Sequence, residues 1–464
     1  MSVLFINGEW RPASDGATID VLDPATEQVI AQVASASAQD LDDVLAAAAS
    51  GFHVWRSTPP AERAEVLDRA GRLLLDRIES IAATLTEEQG KPLDESRAEV
   101  RQSAEYFSWF AGEAVRAYGR LLPTAPGRRS WVERRPVGPV AAFTAWNFPA
   151  SLPARKLAPA VAFGCSIVMC PAIEAPRTAA ALVQALDDAG VPPGVVNLIT
   201  GDPPRVSEHL IGSSTIAKIT LTGSVPVGRT LVGLSATHLQ SLTLELGGHA
   251  PVLVFDDLTQ EQLGRAADAL VRAKFRNAGQ VCISPSRVFV QEALYEAFVD
   301  AVVDRAGQVE LSPLANARRR DGVAALVSSS GAKIRCGGVR PDGPGFFYPP
   351  TVLTDIPPDS AVLRDEPFGP ILPVLPFSTL EDGLQQANNV PYGLAGYVFT
   401  ASAERADAAV AGLDVGMIGV NEVALASAAS PFGGVGLSGY GREGGTESLE
   451  AYTVATAVTT KGAP

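Results

Sequence analysis

The stretch PVAAFTAWNFPASLPARKLAPAVAFGCSIVMC, Pro139–Cys170, decides the fold. "PVAAFTAW" reads as a buried strand, "LPARKLAPAVAFG" as a helix and "SIVMC" as a second strand. Two strands separated by a helix cannot meet as a hairpin; they pair in parallel across a crossover. The rhythm continues with a helix in "RTAAALVQALDDAG", a strand in "VVNLITG", a short helix in "SEHLIGSS" and a strand in "IAKITLTG". A turn and helix at "SVPVGRTLVGLS" follow. The expected class is α/β, with a parallel, doubly wound sheet of the Rossmann type.

Working outward, a second α/β series begins near "LTLELGGHAPVLVF" and runs through "EALYEAFVDAVVDRA" and "VAALVSSSGAKIRCGG". Upstream, residues 1–35 read as short strands, with an Asn-Gly turn in "LFINGEW". Ala38 to Tyr118 is helical in pattern, and "AERAEVLDRAGRLLLDRIESIAATLTEEQG" reads as one helix ended by Gly90 and Pro92. "SPFGGVGLSGYGREGG" is a glycine-rich loop, and the tail "LEAYTVATAVTT" alternates like a strand that pairs with another subunit.

At 464 residues the chain exceeds one ordinary core, so two large domains are expected. A hydrophobic content of 46% with 19% charged residues fits a globular protein in water. The net charge of −14 argues against nucleic acid, whose phosphates it would repel. Cys165, Cys170, Cys282 and Cys336 form no CxxC pair, and no histidine stands at metal-ligand spacing from them, so no metal site is expected. "MSVLFINGEW" lacks a signal-peptide pattern, and no apolar run approaches the roughly 20 residues that span a bilayer. A cytoplasmic protein with reduced thiols and no membrane partner is the expectation.

Several segments carry chemistry. "RNAGQVCIS", Arg276–Ser284, places Cys282 among small and polar residues, a setting for a reactive thiol rather than a packing one. Asn147 ends a strand at the mouth of the sheet, where α/β proteins bind ligands. Gly223, Ser224 and Gly228 open a helix whose free N–H groups suit a phosphate, although many such turns use glycine only for geometry. Glu245, 37 residues before Cys282, alone would be read as a structural ion-pair former. Together with Cys282 it supplies the nucleophile and carboxylate needed to make and hydrolyse a thioester, with Asn147 as oxyanion donor. "RDEPFGP" sets Glu366 and Phe368 in a proline-bounded turn where a carboxylate could grip a ribose.

In "LELGG", "NAGQVC", "EPFGP" and "FGGVGLSGYGRE", met in this order, the chain resembles the aldehyde dehydrogenase superfamily from "INGEW" to "LEAYT". The resemblance implies a nicotinamide-binding domain (1–118 and 137–246), a catalytic domain (247–442) and a small β oligomerisation segment (119–136 and 443–464). It implies NAD or NADP as cofactor, a small-molecule aldehyde as substrate and a homodimer or homotetramer. Cys282 matches the nucleophile, Asn147 the oxyanion donor and Glu245 the base that activates water on the thioester. Glu366 and Phe368 match the residues at the nicotinamide ribose and ring. Thr144, Ala145, Trp146, Cys170, Gly223, Ser224, Val227, Gly228 and Leu246 match the rest of the cofactor cleft. The glutamate at 245 is a mark of branches that release a free acid rather than a coenzyme A ester. Arg155 and Arg287 match arginines that bind the distal carboxylate in succinate-semialdehyde dehydrogenases, with structural ion-pair formation as the alternative for both, and Ser438 lies in the loop expected near the same pocket; a small acidic semialdehyde is the expected substrate. Phe148 and Phe432 leave apolar aldehydes open.

Three departures stand out. In "MCPAIEAP" the usual lysine is Cys170 and the usual ribose-binding glutamate is Ile173, removing two polar anchors worth about 1–3 kcal/mol each. A loop before the turn in "GQVELSPLANARRR" is shorter than usual, and Ala145 stands where proline is common. NAD and NADP therefore stay undistinguished. A cofactor-independent thiol esterase, or a degenerate member with impaired cofactor binding, stands as the alternative.

Overall fold

A computed structural model describes residues 4–461. The N-terminal hairpin, Leu4–Ile6 with Glu9–Arg11, turns on Asn7 and Gly8, both at positive φ as the Asn-Gly pair requires. It lies antiparallel on Val196–Leu198, the edge of a run of five parallel strands. Across the sheet these are Val196–Leu198, Ile167–Cys170, Val140–Phe143, Lys218–Thr222 and Ser241–Glu245. The chain starts the run at Val140–Phe143, winds outward to one side, then crosses to Lys218–Thr222 on the other. The switch point therefore lies between Val140–Phe143 and Lys218–Thr222, where a crevice opens at the carboxyl ends of the strands.

A second sheet runs in the order Lys333–Cys336, Thr351–Thr354, Ile371–Phe377, Pro285–Gln291, Ala250–Val254, Ala395–Phe399, Met417–Val420. All its pairings but the first are parallel. A third, antiparallel sheet joins Arg120–Leu122, Arg128–Pro136 and Thr453–Lys461. The first sheet draws its parallel strands from residues 140–245, the second its strands from residues 250–420 and the third from residues 120–136 and 453–461. The chain nevertheless returns to the first sheet before residue 443, because Gly439–Tyr440 pairs antiparallel with Leu244 and Glu245. Residues 1–3 and 462–464 lie outside the described residues.

Two local expectations are corrected. The helix expected across residues 61–90 is two, Pro60–Asp76 and Ile78–Gln89, broken at Arg77 (φ −102°, ψ 13°). Arg77 there reaches Asp188 at 2.7 Å, at the end of the helix Pro176–Asp188 on which both pieces pack. Helical periodicity persists through such a kink, so the pattern does not reveal it. In the tail, "LEAY" is the end of a short helix, Ser448–Tyr452, and only Thr453–Lys461 is strand. Gly90 does close its helix, at φ 86° with its N–H on Thr86 O.

Candidate active site

Three connections converge on the crevice. The turn Thr144–Ala150 leaves the strand Val140–Phe143 and enters the helix Ser151–Ala162, which carries Arg155 on its second turn. Glu245 ends its strand beside Thr222. Cys282 arrives from the side of the second sheet, on a loop between the helix Gln260–Phe275 and the strand Pro285–Gln291.

That loop is unusual in its backbone. Asn277, Ala278 and Gly279 have φ of 49°, 53° and 76°, a left-handed run that only glycine adopts freely. Hydrogen bonds hold it in place. Gln280 Nε2 donates to Asn277 O at 3.1 Å, its Oε1 accepts from Ala315 N at 2.9 Å, and Ser284 N closes a turn onto Val281 O at 2.9 Å. Cys282 is half-buried and lines a pocket together with Phe148, Leu152, Arg155, Arg276, Val281 and Phe432 among others. Its enclosure pushes the thiol up to about 12; Arg155 pulls it down, whereas Glu366 and Glu245 push it further up. A thiolate is therefore scarce at neutral pH.

Asn147 is buried, and its Nδ2 donates to Gln280 O at 3.0 Å. One of its two N–H bonds is thus fixed on the cysteine loop and the second is left for another acceptor. Glu245 is 2% exposed, yet neither carboxylate oxygen has a hydrogen-bond partner among the described residues. Burial first, then Glu443, push its carboxyl well above the ordinary range, against the pull of Lys156 and Arg155. A buried, unpartnered carboxyl with a raised pKa suits proton transfer near neutrality.

The cleft beside these groups suits a dinucleotide at its nicotinamide end. Ser224 precedes the helix Val225–Ser235 without spending its side chain on a cap, and that helix offers its first-turn N–H groups. A Cβ on Gly228 would come within 2.7 Å of Leu246 Cδ1, so glycine lets the helix close on that residue. Val227 is exposed on the same helix. Trp146 and Phe368 meet edge to face, 5.6 Å between centroids, and the Thr144 hydroxyl is buried without a partner. Glu366 Oε1 accepts from Gly248 N at 2.9 Å; burial raises its carboxyl to about 7 against the pull of that N–H, Arg319 and Lys274. Ala145 packs against the Phe148, Leu152 and Val281 cluster. The adenosine end differs. Cys170 is buried and inert, raised by desolvation, and Glu174 accepts from Asn316 Nδ2 at 3.1 Å across to the side of the second sheet.

Two expected substrate residues lie elsewhere. Arg287 sits on the strand Pro285–Gln291 with four of its five guanidinium N–H bonds on main-chain oxygens: His249 O at 3.0 and 2.9 Å, Gln386 O at 3.1 Å and Ala387 O at 2.7 Å. It ties the second sheet to the helix Leu380–Asn388 and does not reach the pocket. Ser438 is fully buried; its Oγ donates to Gly247 O at 2.7 Å and accepts from Gly393 N at 3.0 Å, pinning the glycine-rich loop. Arg155 does line the pocket, its Nε on Tyr106 OH at 2.8 Å and its guanidinium 3.9 Å above Phe432.

The second pocket cation is Arg276, stacked 4.9 Å over Phe148, which sequence reasoning missed. It stands six residues before Cys282, in a stretch already singled out. Only the left-handed turn at 277–279 brings a side chain at that distance back to the cysteine.

A thiol, an unpartnered carboxylate and a tethered amide gather around one switch-point crevice of an α/β fold. The chain belongs to the aldehyde dehydrogenase family, whose model matches residues 10–458. It is 45% identical to the 4-(hydroxymethyl)benzenesulfonate dehydrogenase TsaD1 of Comamonas testosteroni, over 97% of this chain and 96% of that protein. It is 40% identical to a succinate-semialdehyde dehydrogenase of Paenarthrobacter nicotinovorans, over 92% and 97%. Betaine aldehyde dehydrogenase of Staphylococcus aureus, solved in complex with NAD+, superposes with a TM-score of 0.97 at 30% identity, covering 100% of this chain and 96% of that one.

Proposed function

We propose that this aldehyde dehydrogenase oxidises a small anionic aldehyde to the free acid, with NAD or NADP as hydride acceptor. The carrying observation is that Cys282 shares its pocket with two guanidiniums, Arg155 and Arg276, each stacked on a phenylalanine. Apolar side chains flank them, so the pocket takes a short hydrocarbon body with an anion at its far end. The named relatives act on a sulfonate and on succinate semialdehyde, both bearing such a group.

The Cys282 thiol releases its proton to solvent and the thiolate attacks the aldehyde carbon, whose carbonyl oxygen becomes an oxyanion. The free N–H of Asn147 Nδ2 and the main-chain N–H of Cys282 donate hydrogen bonds to that oxyanion. The dinucleotide, when bound, supplies the hydride acceptor. Its pyrophosphate would meet the helix N-terminus at Ser224, its nicotinamide ribose Glu366, and its ring Phe368 and Trp146. The thioester left on Cys282 is hydrolysed by water that gives its proton to Glu245. The third sheet supports a homodimer or homotetramer, because it leaves Tyr118 73% and Leu121 84% exposed beside an open strand edge.

The test is reduction of NAD and of NADP by the purified protein with succinate semialdehyde, 4-formylbenzenesulfonate and neutral propanal. Turnover of an anionic aldehyde at a kcat/KM well above that of propanal supports the reading. Preference for propanal overturns the anion assignment. Ester cleavage without any dinucleotide reduction favours the thiol-esterase reading, which the apolar Cys170 and Ile173 keep open.

A further inference from the structure

The Asn147 turn is held by an ion pair that lies outside every motif quoted above. Lys91 follows the end of the helix Ile78–Gln89 and is 1% exposed. Its Nζ pairs with Glu99 Oε2 at 2.6 Å and donates to the main-chain O of Asn147 at 2.9 Å. Glu99 Oε1 accepts from Ala150 N at 2.8 Å and Ser151 N at 3.1 Å, capping the helix that carries Arg155. The same Asn147 carbonyl accepts from Asn277 Nδ2 at 2.9 Å. Gln89 orients that amide: its Nε2 donates to Asn277 Oδ1 at 2.7 Å, and its Oε1 accepts from Lys91 N at 3.2 Å. The circuit is closed and buried throughout.

A buried ion pair gains little stability over an apolar pair of the same shape, since desolvation offsets its attraction. What this pair does uniquely is grip three main-chain groups, at 147, 150 and 151, on both sides of one turn. With the Asn147 carbonyl and the two N–H groups at the start of the next helix held, the Cα–Cβ direction of Asn147 is restrained, which keeps its amide on the cysteine loop. We propose that Lys91, Glu99 and Gln89 are positioning residues that hold the Asn147 amide where the oxyanion forms. This rests on the reading of Asn147 as oxyanion donor. None of the three touches a reacting atom.

A double-mutant cycle separates the possibilities. Acylation of Cys282 by 4-nitrophenyl acetate, followed as the nitrophenolate burst, needs an oxyanion donor and no dinucleotide. Alkylation of Cys282 by iodoacetamide is a displacement without an oxyanion, and reports thiol reactivity and pocket integrity. Lys91→Met with Glu99→Gln removes both charges while the glutamine can still cap the helix. Losing the Asn147 donor alone should slow acylation about 100-fold in Asn147→Ala. The Lys91→Met/Glu99→Gln variant should slow it roughly 10-fold, a loosened rather than deleted donor. Combining all three substitutions should be no slower than Asn147→Ala, with alkylation within about two-fold of the parent throughout.

Losses that multiply in the combined variant, or an unchanged burst in Lys91→Met/Glu99→Gln, overturn the proposal. A parent-like burst in Asn147→Ala overturns the oxyanion reading instead. If the double variant does not fold, Gln89→Leu, which frees Asn277 but leaves the ion pair, replaces it. An unchanged burst there overturns the proposal equally.

Discussion

The side-chain amide of Asn147 and the main-chain oxygen of Gln280 lie 3.0 Å apart, a hydrogen bond between loops 133 positions apart in sequence. Asn277 returns the contact, donating to the Asn147 carbonyl at 2.9 Å. The donor loop and the cysteine loop are thus stitched in both directions, so oxyanion and nucleophile positions move together. Four predictions follow from this frame and the charges around it.

Glu245 is enclosed and unpartnered, with its carboxyl raised by burial. Glu245→Gln should let hydride transfer occur once per site, then slow the steady state by about 100-fold or more, since a general base contributes that much. In the parent, thioester hydrolysis should rise with pH along a curve displaced upward from an ordinary carboxylate, because only the ionised form accepts the proton. Burst and steady-state rates across pH check both; an undiminished steady rate in the variant removes Glu245 from the mechanism.

Cys282, with its thiol pushed to about 12 in the free enzyme, should react slowly with iodoacetamide at pH 7. The thiolate fraction grows tenfold per pH unit below the pKa, so the rate should climb about tenfold per unit from pH 7 to 9 without a plateau. A plateau below pH 8 would show a thiolate stabilised by groups that this enclosure does not provide. Arg155→Gln removes the cation nearest in effect and should lower the rate further.

Arg276→Gln should raise KM for succinate semialdehyde, or lower kcat/KM, by about 10- to 100-fold, the loss of a charge-assisted hydrogen bond. Propanal, with no anion to place, should be affected by less than about three-fold. The ratio of the two effects is the readout. Arg287→Gln should change neither ratio, because its guanidinium is consumed by main-chain carbonyls; it should lower Tm instead.

Glu366, raised to about 7, gives opposite pH signs for stability and for binding. Between its unfolded value of 4.5 and about 7, the folded protein holds a proton that the unfolded chain has released. Its contribution to stability therefore falls as pH rises through that window. A ribose hydroxyl donates best to the ionised form, so affinity for NAD or NADP should rise through about pH 7. Glu366→Gln should flatten both profiles, measured by thermal melts and by quenching of tryptophan fluorescence, with Trp146 in the cleft as reporter.

The sequence by itself determined the α/β class, the order of strands and helices from Val140 to Ser235, and the segments that carry thiol, carboxylate and amide. Those follow from local periodicity and from residue types that few other settings tolerate, which neighbouring residues alone encode. It did not reveal the break at Arg77, where the two helix pieces pack on the helix Pro176–Asp188 and Arg77 pairs with Asp188, more than a hundred residues away. It placed Arg287 and Ser438 at the substrate and overlooked Arg276, because spacing along a chain does not say where a side chain points. Arg287 alternates into a buried strand and finds carbonyls. Arg276 is turned to Cys282 by three successive left-handed residues. The Lys91–Glu99 clamp was equally invisible, since its members bond Asn147 over 56 and Ala150 over 51 positions of sequence. Contacts of that range exist only after the helices pack, so tertiary structure alone decided which charges serve the site and which serve the scaffold.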